Sequence, residues 1–347
     1  MTKKVLVTGG AGFLGVHIAR KLIKEGYKVT LFDVSDLDAK DLIGKVNVIK
    51  GDIRDKKTVL QAFKNQDYVV HAAAALPILR EKKIIFGINV DGTKNVLNSA
   101  LQNKIKRLVF ISSTAVYGVP KHLPETEEAP LDPIGFYGES KIIGENLCKE
   151  YMKKGLSINI IRPKTFLGPE RLGVFELWFE AIYNNKKVFI LGNGKNPYQL
   201  LAVSDLVSAI QKTLESKTEG EIFNIGAKEF GTWKSDLGEI IKFAKSKSKI
   251  FGFPVLPSQI ILGILEQLNL SPIAAWHYKT IAVPSFVSTK KAEKLLSWRA
   301  KKSNKELLIE AYSWYKNHRS EFLGKVGTGH RVGWNFKILN LVKRFLN

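Results

Sequence analysis

The sequence predicts an α/β protein: a doubly wound parallel sheet covered by helices on both faces, followed by a smaller mixed C-terminal lobe. Three observations predict it. Short apolar runs rich in β-branched residues alternate with helical patterns from Val5 to Pro163, the rhythm of βαβ units. The first run, Val5-Leu6-Val7, ends in a glycine turn that opens directly into an amphipathic helix. Beyond residue 165 the alternation loosens and helices predominate. The expected divisions are 1–165, 166–320 and a basic tail, 321–347, with later segments helping to complete the first sheet.

The glycine turn reads Thr8-Gly9-Gly10-Ala11-Gly12-Phe13-Leu14-Gly15, and its helix carries Val16, Ile18, Ala19, Leu22 and Ile23 on one face. One glycine allows the tight turn, one lets backbone approach a pyrophosphate, and one lets helix pack on strand. The helix N-terminus presents unpaired N–H groups and a positive dipole end to the phosphates. A dinucleotide site follows as the expectation. The second strand, Lys28–Asp33, ends in an acid about 20 residues past the glycines, where a carboxylate takes the ribose hydroxyls. A carboxylate there repels a 2′-phosphate, so Asp33 predicts NAD over NADP. Further strands are expected at Val46–Asp52, Asp67–Ala74 and Arg107–Ser113, with a helix from about Val90 to Gln102. The small residues Ala72, Ala73 and Ala74 would let a cofactor lie against the backbone.

A Pro-rich loop over 129–133 precedes a helix opening at Phe136 and running to about Lys153. A strand at Leu156–Ile161 closes in Arg162-Pro163. The second half is expected to hold helices near Phe175–Asn184, after Asp205, and near Leu237–Ala244, Ser258–Leu268 and Lys305–Lys316, with strands at Val188–Leu191 and Glu221–Ile225. The helix carrying Ile260, Ile261, Leu262, Ile264 and Leu265 is apolar on more than one face, so it is either buried or turned toward something greasy.

Hydrophobic content of 45% and charged content of 25% over 347 residues are those of an ordinary soluble domain. The single cysteine, Cys148, excludes an internal disulfide framework and suits a reducing, cytoplasmic compartment. No apolar stretch is long and clean enough to span a bilayer, and no signal peptide is recognisable. The net charge is +22, split as +6 over residues 1–150 and +16 over 151–347. Solvated lysine faces account for such an excess, as does an anionic partner. No zinc spacing, RNA-binding aromatic signature or repeat points to nucleic acid or a metal.

The chemistry concentrates around residue 137. Tyr137 and Lys141 lie four apart on one helix, one turn along the same face, and Ser113 ends a strand. A tyrosine, with a reference pKa of about 10, is a poor base at neutral pH. A neighbouring ammonium is expected to lower that pKa, so that the phenol exchanges a proton with a substrate hydroxyl while hydride passes to or from a nicotinamide.

Together these residues resemble the extended branch of the short-chain dehydrogenase/reductase superfamily. TGGAGFLG at 8–15 matches the family's TGxxGxxG, and Asp33, GDIRD at 51–55, HAAA at 71–74 and NVDGTKNVL at 89–97 follow in the family's order. So do SSTAVYG at 112–118, YGESK at 137–141, RPKTFLGP at 162–169 and VSDLVSAI at 203–210, for a likeness over roughly residues 3–315. The resemblance implies a Rossmann-type NAD enzyme with Ser113, Tyr137 and Lys141 as its catalytic trio. It implies that Gly9, Gly12, Phe13, Leu14, Gly15, Asp33, Ala72, Ala73, Ala74, Asn89 and Pro163 serve the cofactor. Asp52 and Ile53 would lie against the adenine, and Lys141 would also hold the nicotinamide ribose.

Within that branch, dehydratases carry an Asp-Glu pair directly after the catalytic Ser or Thr; here Thr114-Ala115 stands instead, which argues against dehydration. Sugar-nucleotide 4-epimerases share SSTAVYG and YGESK, but Thr165 replaces their usual asparagine, and Asn196-Pro197-Tyr198-Gln199 lacks the arginine that grips a diphosphate. Arg162-Pro163 is similar to the 3β-hydroxysteroid dehydrogenase and dihydroflavonol reductase relatives, whose substrates are lipophilic. The intact trio argues against a non-catalytic NAD sensor. An epimerase or oxidoreductase acting on a sugar nucleotide or related sugar is the first expectation, and a dehydrogenase of a lipophilic or lipid-linked alcohol the second. In the tail, Trp334, Ile338, Leu341 and Phe345 share one helical face beside Lys337, Lys343 and Arg344. That pattern suits peripheral contact with an anionic membrane; packing on the protein's own body or on the second subunit of a homodimer is the alternative.

Overall fold

The computed structural model describes residues 2–76, 79, 81–267 and 275–322. The expected tail helix falls on 323–347, outside the described residues. In chain order the first half comprises β1 (Lys4–Thr8), α1 (Phe13–Lys24), β2 (Lys28–Asp33), β3 (Asn47–Lys50), α2 (Lys56–Ala62), β4 (Tyr68–His71), α3 (Lys82–Phe86), α4 (Gly92–Gln102), β5 (Arg107–Ile111), α5 (Gly135–Met152) and β6 (Ile158–Pro163). The second half comprises β7 (Phe166–Leu167), α6 (Phe175–Tyr183), β8 (Val188–Leu191), β9 (Leu201–Ala202), α7 (Val203–Glu215), β10 (Ile222–Ile225), α8 (Trp233–Phe243), β11 (Ile250–Phe253), α9 (Val255–Gln267), α10 (Ala275–Thr280), α11 (Lys290–Leu296) and α12 (Asn304–Phe322).

Seven strands form one parallel sheet in the order β10-β6-β5-β4-β1-β2-β3. The order reverses between β1 and β4, and the crevice beyond the carboxyl ends of those strands is where open α/β sheets place ligands. The central strands are near-continuous apolar runs because both faces are covered. One face packs α1 and α7 with Trp298 and Leu296; the other packs α2, α4 and α5 around Phe32, Phe63 and Phe110. Later segments thus return to the first sheet: β10 adds its edge strand, and α7 covers it. A separate core around Phe179, Trp233, Leu237 and Tyr312 holds α6, α8 and α12 together.

Several local expectations shift. β4 stops at His71, so the three alanines run as irregular backbone rather than as strand. The helix expected from Val90 begins earlier, as α3 continuing through a π-helical turn at Gly87–Asp91 into α4. The short pair β7–β9, strand β11 and helix α11 carry no period long enough to announce them. No helix among the described residues is long and apolar enough to cross a membrane.

Candidate active site

The glycine turn is built as its sequence requires. Gly9 has φ +70°, and a Cβ there would lie 2.7 Å from the Ala73 nitrogen. A Cβ on Gly15 would lie 2.3 Å from the Gly9 carbonyl oxygen, so the helix packs on the turn itself. Gly12 caps α1 without a side chain, leaving the first-turn N–H groups to a ligand. The Asp33 carboxylate is held by backbone: Ala11 N–H donates to Oδ2 at 3.0 Å and Ser35 N–H to Oδ1 at 2.9 Å. Each oxygen keeps a lone pair for a ribose hydroxyl.

These groups open onto one cavity of about 520 Å³, within the size range of small-molecule and cofactor sites. Of the expected residues, Gly9, Gly12, Phe13, Leu14, Asp33, Asp52, Ile53, Ala72, Ala73, Ala74, Ser113, Tyr137, Lys141 and Pro163 line it. Asp52 does so paired with Arg54, whose Nε lies 3.0 Å from both carboxylate oxygens and holds the carboxyl below its ordinary range. Gly15 and Asn89 do not line it. Asn89, in the π turn, is buried: Ala75 N–H donates to its Oδ1 at 2.7 Å, and its Nδ2 donates to the Ala75 carbonyl and to Ser140 Oγ at 3.2 and 2.9 Å. Its amide ties Ala75, the last residue of the alanine run, to α5 and so sets the cavity wall from behind.

Ser113, Tyr137 and Lys141 meet because the chain just after β5 lies against the first turns of α5. Lys141 Nζ donates to the Ile111 carbonyl at 2.8 Å and lies 5.9 Å from the Tyr137 ring centre. Burial lowers its pKa to about 8, against the opposing pull of Glu145. Tyr137 departs from expectation. Burial raises its pKa, and the opposing effects come from the Ser113 hydroxyl, hydrogen-bonded to it, and from the Arg171 guanidinium. The hydrogen bond of the Lys141 ammonium goes to the Ile111 carbonyl, and the groups that oppose the rise at Tyr137 are Ser113 and Arg171.

Sequence reading missed Arg171, Lys164, Thr165 and Trp276 as cavity residues, although Thr165 stood out as a departure from the epimerase pattern. Arg171 follows a loop that folds back so that Gly168 and Arg171 pair, and its guanidinium lies 5.6 and 5.5 Å from the rings of Phe13 and Phe166. Lys164 Nζ donates to Ser285 Oγ at 2.7 Å, and burial pulls its pKa to about 8. Trp276 lines both the main cavity and a smaller adjoining one of about 100 Å³, bounded by Trp178, Trp233 and Phe175. None of these positions shares a motif or a period with the trio.

His71 is also set by packing. It lies between Thr8 Oγ1 at 2.7 Å and Thr93 Oγ1 at 2.9 Å, and burial lowers its pKa to about 3. It stays neutral at any working pH and joins β1, β4 and α4 under the turn. No cluster of metal-ligating side chains occurs among the described residues.

A family model described as the NAD dependent epimerase/dehydratase family matches residues 5–226. The protein y4nG of Sinorhizobium fredii is 35% identical over 344 residues, covering 99% of this chain and 86% of that one. A UDP-N-acetyl-α-D-glucosaminuronate decarboxylase of Bacillus cytotoxicus is 32% identical over 310 residues, 80% of this chain and 95% of that one. The structure of a UDP-glucose 4-epimerase from Thermotoga maritima with UDP-glucose superposes with a TM-score of 0.78 at 24% identity, over 91% of this chain and 99% of that one, a likeness of fold. With the glycine turn, the bare helix N-terminus and the Asp33 carboxylate all fitted to a dinucleotide, the chain belongs to the NAD-dependent epimerase/dehydratase family, as an NAD-using enzyme of the extended short-chain dehydrogenase/reductase kind.

Proposed function

We propose that the protein oxidises a secondary alcohol, reversibly, on a sugar nucleotide or related sugar, with Tyr137 as the proton-transfer residue. The observation that carries this reading is the meeting of Ser113, Tyr137 and Lys141 on the wall of the cavity that the glycine turn and Asp33 also line. NAD, when bound, supplies the hydride acceptor and donor. Gly12, Phe13 and Leu14 would hold its diphosphate at the α1 N-terminus, and Asp33 would hold the adenosine ribose. Ser113 fixes the substrate hydroxyl against Tyr137; the Tyr137 phenolate takes the hydroxyl proton as the alcohol is oxidised, and the neutral phenol that burial favours returns it in the reverse direction. Lys141 would hold the nicotinamide ribose. Arg171 favours the phenolate and adds a cation for an anionic group of the substrate.

Thr114 and Ala115 supply no acid–base pair, so the reading stops at redox and epimerisation. A second reading has one specific support. The adjoining cavity is walled by Trp178, Trp233, Trp276, Phe166 and Phe175, a surface suited to a flat apolar group. Under it, a lipophilic or lipid-linked alcohol is oxidised by the same trio and NAD exchanges freely, whereas an epimerase retains its NAD through purification.

Replacing Tyr137 by Phe removes the proton carrier and keeps the ring. Turnover, read as NADH formation or sugar inversion with a panel of UDP-sugars and lipophilic alcohols, should fall by about 10²–10⁴-fold. NAD binding should be nearly unchanged. Full activity in the variant would refute the assignment of Tyr137.

A further inference from the structure

Strands β8 and β11 pair in parallel with Phe189 opposite Phe251. Ring centres lie 6.4 Å apart for Phe189–Phe251 and 5.2 Å for Phe189–Phe253, so the three rings form one patch. All three are exposed, Phe253 by 50%. Helix α9 follows directly after Pro254 and carries a further set of exposed apolar side chains. Leu256, Ile260, Ile261 and Ile264 are exposed by 68, 56, 58 and 54%, and not one residue of α9 is buried. Leu256, Ile260 and Ile264 recur every four residues, a single stripe along the helix. A helix this apolar ordinarily sits in a core, and a contiguous apolar surface of this kind marks an interaction site.

What covers it follows from charge. Lys242, Lys245, Lys247 and Lys249 lead into β11, and no acidic residue occurs from 242 to 265. Lys187 Nζ lies 4.7 Å over the Phe251 ring, at the edge of the patch. A second copy docking isologously on this face would bring the two lysine runs together. An anionic lipid surface instead offers hydrocarbon to the side chains of α9 and phosphates to the lysines. The patch is also tied to the cavity. Gln259 Nε2 donates to the Tyr278 carbonyl at 3.0 Å, and Tyr278 Oη donates to Glu266 Oε2 at 2.6 Å. These bonds brace α9 on α10, which carries Trp276 of the cavity wall.

We infer that the β11–α9 surface seats the protein on an anionic bilayer, with α9 in the interfacial plane. The inference is independent of the substrate class proposed above. Its test is co-sedimentation of the full chain with phosphatidylcholine vesicles containing phosphatidylglycerol, at low and high salt. The unmodified protein should pellet with the vesicles at low salt and be partly released by salt. The double variant Ile260→Glu/Ile264→Glu should lose vesicle partitioning by about tenfold or more. Both side chains are exposed, so its melting temperature should match that of the parent. Lys247→Glu/Lys249→Glu should weaken binding to anionic vesicles and flatten the salt dependence. Three results overturn the inference. The protein stays in the supernatant; the isoleucine variant pellets like the parent while truncation after Phe322 releases the protein, which makes the tail the anchor; or the patch mediates a dimer that the isoleucine variant splits, with no vesicle binding.

Discussion

Arg162→Met tests what holds α5, the helix of Tyr137 and Lys141, in place. Arg162, on β6, and Glu145, on α5, are 2 and 0% exposed in their side chains. The guanidinium grips the carboxylate with both prongs, Nε to Oε1 at 2.8 Å and Nη2 to Oε2 at 2.6 Å. Its remaining nitrogen donates to Tyr117 Oη at 2.8 Å and to the Glu127 carbonyl at 3.0 Å. Ser112 Oγ, next to Ser113, donates to Glu145 Oε1 at 2.6 Å. Removing the guanidinium leaves a buried carboxylate with a single hydroxyl partner. Loss of one partner of such a pair costs about 3–5 kcal/mol. Glu145→Leu combined with Arg162→Met removes both charges, and the double variant should be more stable than Arg162→Met alone. Urea denaturation followed by circular dichroism reads all of this. A cost below about 1 kcal/mol for Arg162→Met would refute the reasoning.

Asp33→Ala should weaken NAD binding and narrow the preference for NAD over NADP in fluorescence titration; equal affinity for both in the unmodified protein would contradict the role given to the carboxylate. Gly15→Ala places a methyl against the Gly9 carbonyl and should cost about 1–3 kcal/mol by overpacking, with loss of NAD affinity; unchanged melting and binding would show that the turn can yield. Lys141 and Lys164 both have native pKa values pulled to about 8, so the unfolded chain binds more protons than the native one between there and the ordinary lysine value of about 10.4. Stability should rise with pH across that window, and Lys164→Met should remove part of the rise in denaturation experiments at a series of pH values.

The sequence by itself determined what depends on neighbours along the chain. The strand–glycine turn–helix unit, the acid closing β2 and the four-residue spacing of Tyr137 and Lys141 are short-range patterns, and their stereochemistry does not wait for the rest of the fold. Most strands of the sheet were legible for the same reason: buried parallel strands are unbroken apolar runs. Asn89 shows the limit. Its place in a motif identified it, but a π turn directs its amide to the Ala75 backbone and Ser140 behind the wall. Arg162 was read as a family mark and is the cation of a core ion pair. The phenol of Tyr137 was expected to be acidified by Lys141, yet burial raises its pKa, and the opposing charge comes from Arg171, thirty-odd residues on and brought back by a folded loop. These outcomes belong to the tertiary structure because desolvation and long-range pairing have no period in the chain. A side chain's charge is worth what its surroundings make of it, and those surroundings exist only once β6, α5 and the Gly168–Arg171 loop have closed around the cavity.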